Sequence, residues 1–457
     1  MEKENRLGTE DVRKLVLSLA IPSMLAQFIN VLYSVVDRMY IGNIAETGEM
    51  ALAGVGVCGP LIALISAFAS FIGVGGSPLM SIRLGEQKIE RARQILANSF
   101  LMLSVISVGT TGIIFLVKDK LLMAFGASAA TFTYADDYFT IYLLGTIFAL
   151  LSIGMNQFII AQGYAKTAMA SVVIGAVLNL ALDPLFIFVF GMGVKGAAYA
   201  TVFSQFVSCV YVLLVLFGKK IPVRITFKGY SWSVMKQIAF LGFTPFIIIV
   251  MDNVILLALN ATLQGYGGAG RGDMLVTCST IVQSFMLIVT MPLGGITSGT
   301  QTILGYNYGA RRSGRVRSAE KYIVLLCLAF TTVMFIAAQT CSGYFVRIFT
   351  KNEEYISFAS QAIKIYTLGI MPLAFQYAFV DGFTGMGIAK LAIPLSMMRK
   401  VIFLAGVFLI PVFSVIENIF YAEPLTDFIS AIITSACYFI MIGKVLRQRE
   451  LLQEGRA

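Results

Sequence analysis

LGEQKIERAR (residues 84–93) and YGARRSGRVR (308–317) stand 224 positions apart, and that spacing decides the fold. At this shift Gly85 falls on Gly309, Arg91 on Arg315 and Arg93 on Arg317. Working outward at the same shift, IYLLG (141–145) falls on IYTLG (365–369) and GYAK (163–166) on GIAK (387–390). One offset holding without a gap over more than 80 residues marks an internal duplication.

What is duplicated is apolar. The 457 residues are 58% hydrophobic and 13% charged, with a mean hydropathy of +0.84, whereas soluble domains carry about 25% charged residues. Segments of about 20 apolar residues cross a bilayer. Twelve lie along the chain, at 15–41, 51–82, 95–117, 138–161, 167–190, 194–217, 238–262, 275–304, 321–341, 361–385, 391–413 and 424–443. Backbone amides in lipid must be satisfied within each segment, so the fold class is all-α integral membrane. Six segments per half give both repeats the same orientation. Parallel repeats of this kind predict two six-helix lobes facing each other around a central cleft. The expected division is an N-lobe at 12–217, a cytoplasmic linker at 218–236 carrying the single tryptophan, Trp232, at the headgroup level, and a C-lobe at 237–445. The first apolar run is too long for a signal-peptide core and reads as an uncleaved span.

The net charge of +10 follows topology. With both termini in the cytoplasm, 24 Lys and Arg fall on the inner side and 7 on the outer. That bias is the positive-inside rule and implies no nucleic-acid partner. The six cysteines (Cys58, Cys209, Cys278, Cys327, Cys341, Cys437) lie singly in apolar runs, and with no histidine in the chain they read as small buried hydrophobes, not zinc ligands. No GxxxxGK[ST] loop exists, so ATP is not the energy source. An intramembrane aspartyl protease would need two aspartates in motifs resembling YD and GxGD, and the contexts VVDRMYIG and ALDPLF do not match.

Four aspartates, Asp37, Asp183, Asp252 and Asp381, fall inside the apolar segments. Ionisable groups there mark ion or substrate pathways. Asp37 and Asp183 both rise roughly 24 to 30 Å from the inner ends of their helices at 1.5 Å per residue, so they can share one chamber. Asn179 precedes Asp183 by four residues and lies one turn below it on the same face. Pro184 removes a backbone donor, leaves the Leu180 carbonyl without its usual partner and predicts a kink. At the 224-residue offset the second half has Ala261 and Val407 where the first has Asp37 and Asp183. Gln157, Gln205, Gln283 and Gln301 are candidates for touching substrate or for tying helices together. Arg399 and Lys400 are expected to pair with other polar groups. The 21 methionines and 35 phenylalanines suit a repackable pocket, although most must face lipid or neighbouring helices.

VLYSVVDRMYIG (31–42), GAVLNLALDPLFIFVFGMGVKGAAYAT (175–201) and GITSGTQTILGYNYGARR (295–312) together resemble the multidrug and toxic compound extrusion (MATE) transporters, in the bacterial branch that contains Gram-positive multidrug exporters. The resemblance covers nearly the whole chain. It implies an ion-coupling site at Asp37, Asn179, Asp183 and Thr201, able to take a proton or Na+. By the same resemblance Asp252 occupies the place of a helix-7 acid, while the helix-10 acid falls near Phe375 and is missing, with Asp381 six residues beyond.

The expected function is a non-enzymatic secondary active antiporter that exports amphipathic, mostly cationic compounds in exchange for protons or sodium ions. Asp37, Asp183, Gln157, Gln205, Asp252, Gln283 and Gln301 are its candidate substrate contacts. No cofactor is expected beyond the coupling ion, H+ or Na+. The expected partners are small amphipathic substrates and membrane lipids, and the protein is expected to be a functional monomer, multi-pass in the plasma membrane. The alternative is a lipid-linked oligosaccharide flippase of the same two-lobe plan, which would want a basic cleft.

Overall fold

A computed structural model of the protein describes residues 6–45, 47–268 and 271–451. Among the described residues there is no strand, and twelve helices are long and apolar enough to cross a membrane. They are α1 (Val12–Gly42), α2 (Gly48–Gly85), α3 (Ile89–Ala124), α4 (Phe132–Ile160), α5 (Ala165–Pro184), α6 (Gly193–Phe217), α7 (Trp232–Gly267), α8 (Arg271–Gly309), α9 (Ser313–Val346), α10 (Glu353–Gly385), α11 (Ala389–Phe413) and α12 (Ile416–Leu451). A single helical turn, Arg6–Thr9, precedes them. Large apolar side chains such as Leu116, Val189, Ile348 and Phe413 stand exposed on the helices, the surface of a multi-pass membrane protein.

The duplication is written into the backbone. After α2 and after α8 the chain makes the same turn. Gln87 and Arg311, 224 apart, are the two non-glycine residues with positive φ among those described, at 60° and 59°. The next residues, Lys88 (φ −96°, ψ 68°) and Arg312 (φ −97°, ψ 68°), open α3 and α9. Their amides reach back to the carbonyls of Arg83 and Asn307, both at 2.9 Å. The turns after α4 and α10 match in the same way. Gly163 (φ 91°) and Gly387 (φ 73°) take the left-handed conformation that glycine adopts without cost, and the amides of Tyr164 and Ile388 close on Ile159 and Phe383.

Spatial clustering divides the chain into two compact units. One is Leu25–Ile249, and the other joins the residues up to Met24 to those from Val250 onward. The boundaries cut α1 and α7 instead of falling in the expected linker at 218–236, because the first turns of each helix pack on the long second helix of the opposite repeat. A Cβ on Gly299 of α8 would stand 2.3 Å from the Ser23 hydroxyl of α1. One on Gly75 of α2 would stand 2.4 Å from the Ile238 carbonyl of α7. Small residues let these backbones touch.

Within the unit 25–249, α4 is the central helix and packs on α2, α3, α5 and α6. Gly154 of α4 lies against Leu103 and the Ala69 carbonyl. The linker folds on this unit: the Val223 amide donates to Gln162 Oε1 (2.8 Å), and Asn98 spans Gly229 and Ser231. Trp232 is 70% exposed, with Lys236 Nζ 5.7 Å from its ring. In the other unit the equivalent α10 is central, packed on α8, α9, α11 and α12. The first residues close on the same unit. Asn307 donates to the Leu7 carbonyl, Arg312 to that of Gly8, and Arg315 to those of Leu7 and Glu10.

Four of the cysteines are buried as expected, but Cys341 is exposed and Cys437 half-buried; all six are free thiols.

Candidate functional site

In the unit 25–249, three helices bring the carboxylates of the first half together. Asp37 lies near the end of α1, Asn179 and Asp183 one turn apart on α5, and Thr201 on α6. Asn179 Nδ2 donates to Asp183 Oδ1 at 3.2 Å and reaches Thr201 Oγ1 at 3.4 Å. The carboxyl groups of Asp37 and Asp183 are within hydrogen-bonding reach of each other. Asp183 is fully buried, Asn179 2% exposed and Asp37 9%.

Three oxygens in this cluster, Asp37 Oδ1, Asp183 Oδ2 and Asn179 Oδ1, are buried without a partner. Buried polar atoms are ordinarily hydrogen-bonded. A cluster holding two carboxyls and three empty acceptors is short of hydrogen-bond donors and of positive charge.

The chain past Asp183 explains its position. Pro184 ends the α-helical bonding of α5, and Leu185–Val189 winds as a π-helix in which the Phe190 amide closes on the Leu185 carbonyl at 2.9 Å. The expected kink therefore takes the form of a π turn, a local widening that recurs at functional sites.

Tyrosines complete the cluster, and reading the sequence did not single them out. Tyr138 and Tyr33 lie close enough to Asp37 for their hydroxyls to feel its charge, and Tyr142 is a neighbour of Tyr33. The available signal was spacing: Tyr138 and Tyr142 share one face of α4 at i, i+4.

The second half has nothing like this at the matching positions. Offset by 224, Asn179 and Asp183 become Phe403 and Val407, both buried in an apolar cluster with Phe285, Tyr366 and Phe420. Its polar groups lie elsewhere. Asp252 pairs with Lys400. Arg399 is held by two buried acids, donating to Asp427 Oδ1 from Nε (3.0 Å) and Nη2 (2.9 Å) and to Glu423 Oε1. Thr297 donates to Asp381, and Gln301 is buried against Gly385. Gln283 donates to the Tyr366 hydroxyl at 2.9 Å. Gln157 packs its stem against Gly73, and Gln205 keeps Oε1 without a partner.

The four aspartates are therefore not the full set of intramembrane acids. Glu320, Glu423 and Asp427 are 2%, 7% and 0% exposed. Asp427 stood within the expected segment 424–443. Glu320 and Glu423 fell just outside because α9 and α12 begin 8 residues before the apolar runs at 321 and 424.

The model of the MatE family matches residues 22–185 and 249–409. The chain belongs to the MatE family. Its two MatE matches end at Leu185 and Leu409, positions that the 224-residue offset superimposes, so each repeat carries one copy. As a MatE protein it is a transporter, not an enzyme. Among curated relatives, the multidrug export protein MepA of Staphylococcus aureus is 22% identical over 90% of this chain and 88% of its own length. MepA of Staphylococcus saprophyticus is 21% identical over the same shares. Among solved structures, an outward-facing multidrug resistance MATE family transporter superposes with a TM-score of 0.90, at 22% identity over 98% of this chain and 99% of that one. A Pyrococcus furiosus transporter of the MOP superfamily, whose binding pocket is described as of reverse polarity, superposes with a TM-score of 0.91 at 22% identity, over 97% and 99%. These likenesses establish the MatE fold over the whole chain.

Proposed function

We propose that the chain is a multidrug exporter, expelling amphipathic and mostly cationic compounds against an inward flow of protons or sodium ions. The site of coupling is the Asp37, Asn179, Asp183 and Thr201 cluster. The observation that carries this reading is the contact between two buried carboxyls, each with an empty oxygen, in a family of transporters. Two carboxyls so close need a proton or a cation between them. While they are unneutralised the pocket attracts a positively charged substrate. Once a proton or sodium ion is taken up the attraction ends, and the π turn beside Asp183 gives α5 a place to adjust.

The names of the MepA relatives support export of drugs, and the 24 to 7 charge bias supports a cytoplasmic position for both termini. A flippase would want free basic groups for pyrophosphate. Arg399 and Lys400, the two cations in the middle of α11, are instead each paired to carboxylates.

The test is reconstitution in liposomes with a proton or a sodium gradient imposed separately, following efflux of a fluorescent cationic dye. Asp183→Asn is expected to lose gradient-driven efflux, by tenfold or more, while remaining folded and still binding dye at equilibrium. Efflux by Asp183→Asn at the wild-type rate would reduce this carboxylate to a structural group. Stronger competition by anionic than by matched cationic compounds would favour the flippase.

A further inference from the structure

We propose that the start of α7 carries a binding site for an anionic phospholipid, formed by Trp232, Ser233, Lys236, Gln237 and Phe240. These five side chains line an open groove of about 420 Å3. Their spacing puts them along one face of the first turns of the helix. All five are exposed, Trp232 by 70% and Phe240 by 58%. Lys236 Nζ is held 5.7 Å from the Trp232 ring, within reach of a cation–π attraction, which keeps the ammonium in the groove.

The charge around the groove is unbalanced. Between Asp183 and Asp252 the chain has no acidic residue. In the linker and the first turn of α7, Lys219, Lys220, Arg224, Lys228 and Lys236 are all exposed, and among the described residues none of them pairs with a carboxylate. The basic turn after α2 is built differently. There Arg83 and Lys88 pair with Glu86, and Arg93 with Glu90. Both segments satisfy the positive-inside rule, but only the linker leaves its cations free for an anion from outside the chain.

The linker also has a fixed shape. Ile221, Val223 and Ile225 turn inward and are buried, while Pro222 and Arg224 between them face out. Phe227 stacks on Phe217 at 5.8 Å, and Asn98 holds Gly229 and Ser231 just before the helix. The groove is polar at Ser233 and Lys236, where the helix N-terminus also favours an anion, and apolar at Phe240, one turn further into the span. A phospholipid has the same order of phosphate, glycerol and acyl chain. A soluble anion would match only the polar end, so the occupant is a lipid.

Trp232 is the single tryptophan of the chain and lies in the groove, so its fluorescence reports on the occupant. Full-length protein is reconstituted in phosphatidylcholine vesicles with a minor fraction of phosphatidylglycerol. One lipid or the other carries bromine near the top of its acyl chains, which quenches tryptophan on contact, and each sample is read against its unbrominated control. Brominated phosphatidylglycerol is expected to quench Trp232 severalfold more than its share of the bilayer accounts for. Lys236→Gln is expected to bring quenching down to that share, and Lys236→Arg to keep it. Lys219→Gln with Lys220→Gln, which removes more charge but none from the groove, is expected to leave the preference in place. Quenching of the wild type in proportion to composition overturns the proposal. So does a preference lost with Lys219 and Lys220 but not with Lys236, which is diffuse attraction to a basic surface. Loss of the preference in inorganic phosphate at constant ionic strength marks a phosphate site instead and overturns it too. The readout is lipid contact and not efflux, so it is independent of the role given to Asp183.

Discussion

Arg399 holds two acids at once inside a bundle of helices. Asp427 is fully buried and Glu423 nearly so, and both direct oxygens at one guanidinium. Removing one partner of a buried ion network leaves charge without compensation, at about 3 to 5 kcal/mol. Arg399→Met is therefore expected to lower the melting temperature of the protein in detergent markedly. A triple variant that also carries Glu423→Gln and Asp427→Asn is expected to regain most of the loss. A triple variant as unstable as the single one would show that packing, not charge, is at stake. Individual side chains were legible in the sequence to the degree that they were anomalous. Asp183 stood out because a carboxylate followed by proline has no ordinary reason to sit in an apolar run. Tyr33, Tyr138 and Tyr142 did not, because a tyrosine in such a run looks like any aromatic packing residue until its neighbours are known. Glu320 was hidden by the basic stretch 311–321 before it, which reads as solvent-facing loop although α9 already begins at Ser313.

At the scale of the helix, the glycines separate close approaches from open surface. A Cβ on Gly242 of α7 would fall 1.7 Å from the Phe71 carbonyl of α2, a backbone atom that cannot move aside. Gly56 of α2 has nothing within 4 Å. Gly242→Ala is expected to abolish accumulation of folded protein, whereas Gly56→Ala should leave expression unchanged and melting equal or slightly higher, since alanine favours a helix by about 1 kcal/mol. Comparable yields of the two variants, measured by fluorescence-detected size exclusion, would contradict the packing described. The helices were readable as apolar runs, but their ends were not. α3 continues to Ala124 where the apolar run ends at 117, and α7 starts at Trp232 where it begins at 238. Long polar side chains let a helix extend past the hydrocarbon with their heads in water, so hydropathy marks the membrane and not the helix. Nor did hydropathy show that α10 tightens to a 3-10 turn at Thr367–Gly369, where Gly369 sits against Pro424 and Asp427 of α12.

For the molecule as a whole, the basic residues predict which loops share a compartment. Single cysteines at Lys166, within the linker 219–231, at Lys195 and at Lys351, in a background lacking the six native thiols, should label from opposite faces in two pairs with an impermeant reagent. The first two should react from the cytoplasm and the last two from outside, and all four labelling from one side would overturn the orientation. The repeat was legible throughout, and the matched turns at Gln87 and Arg311 show why: a left-handed non-glycine residue and its five-residue closure repeat together or not at all. The extent of each compact unit was not legible, because it depends on which long helix receives the first turns of α1 and α7. That arrangement means neither repeat is self-sufficient, although each has its own six spans. Cut at the linker, the fragments 1–217 and 232–457 would each keep a helical beginning that belongs to the other's unit. Each fragment should be degraded when expressed alone. Expressed together from separate genes, they should complement one another, recovering as one protein in two pieces, like an obligate heterodimer whose subunits have exchanged arms.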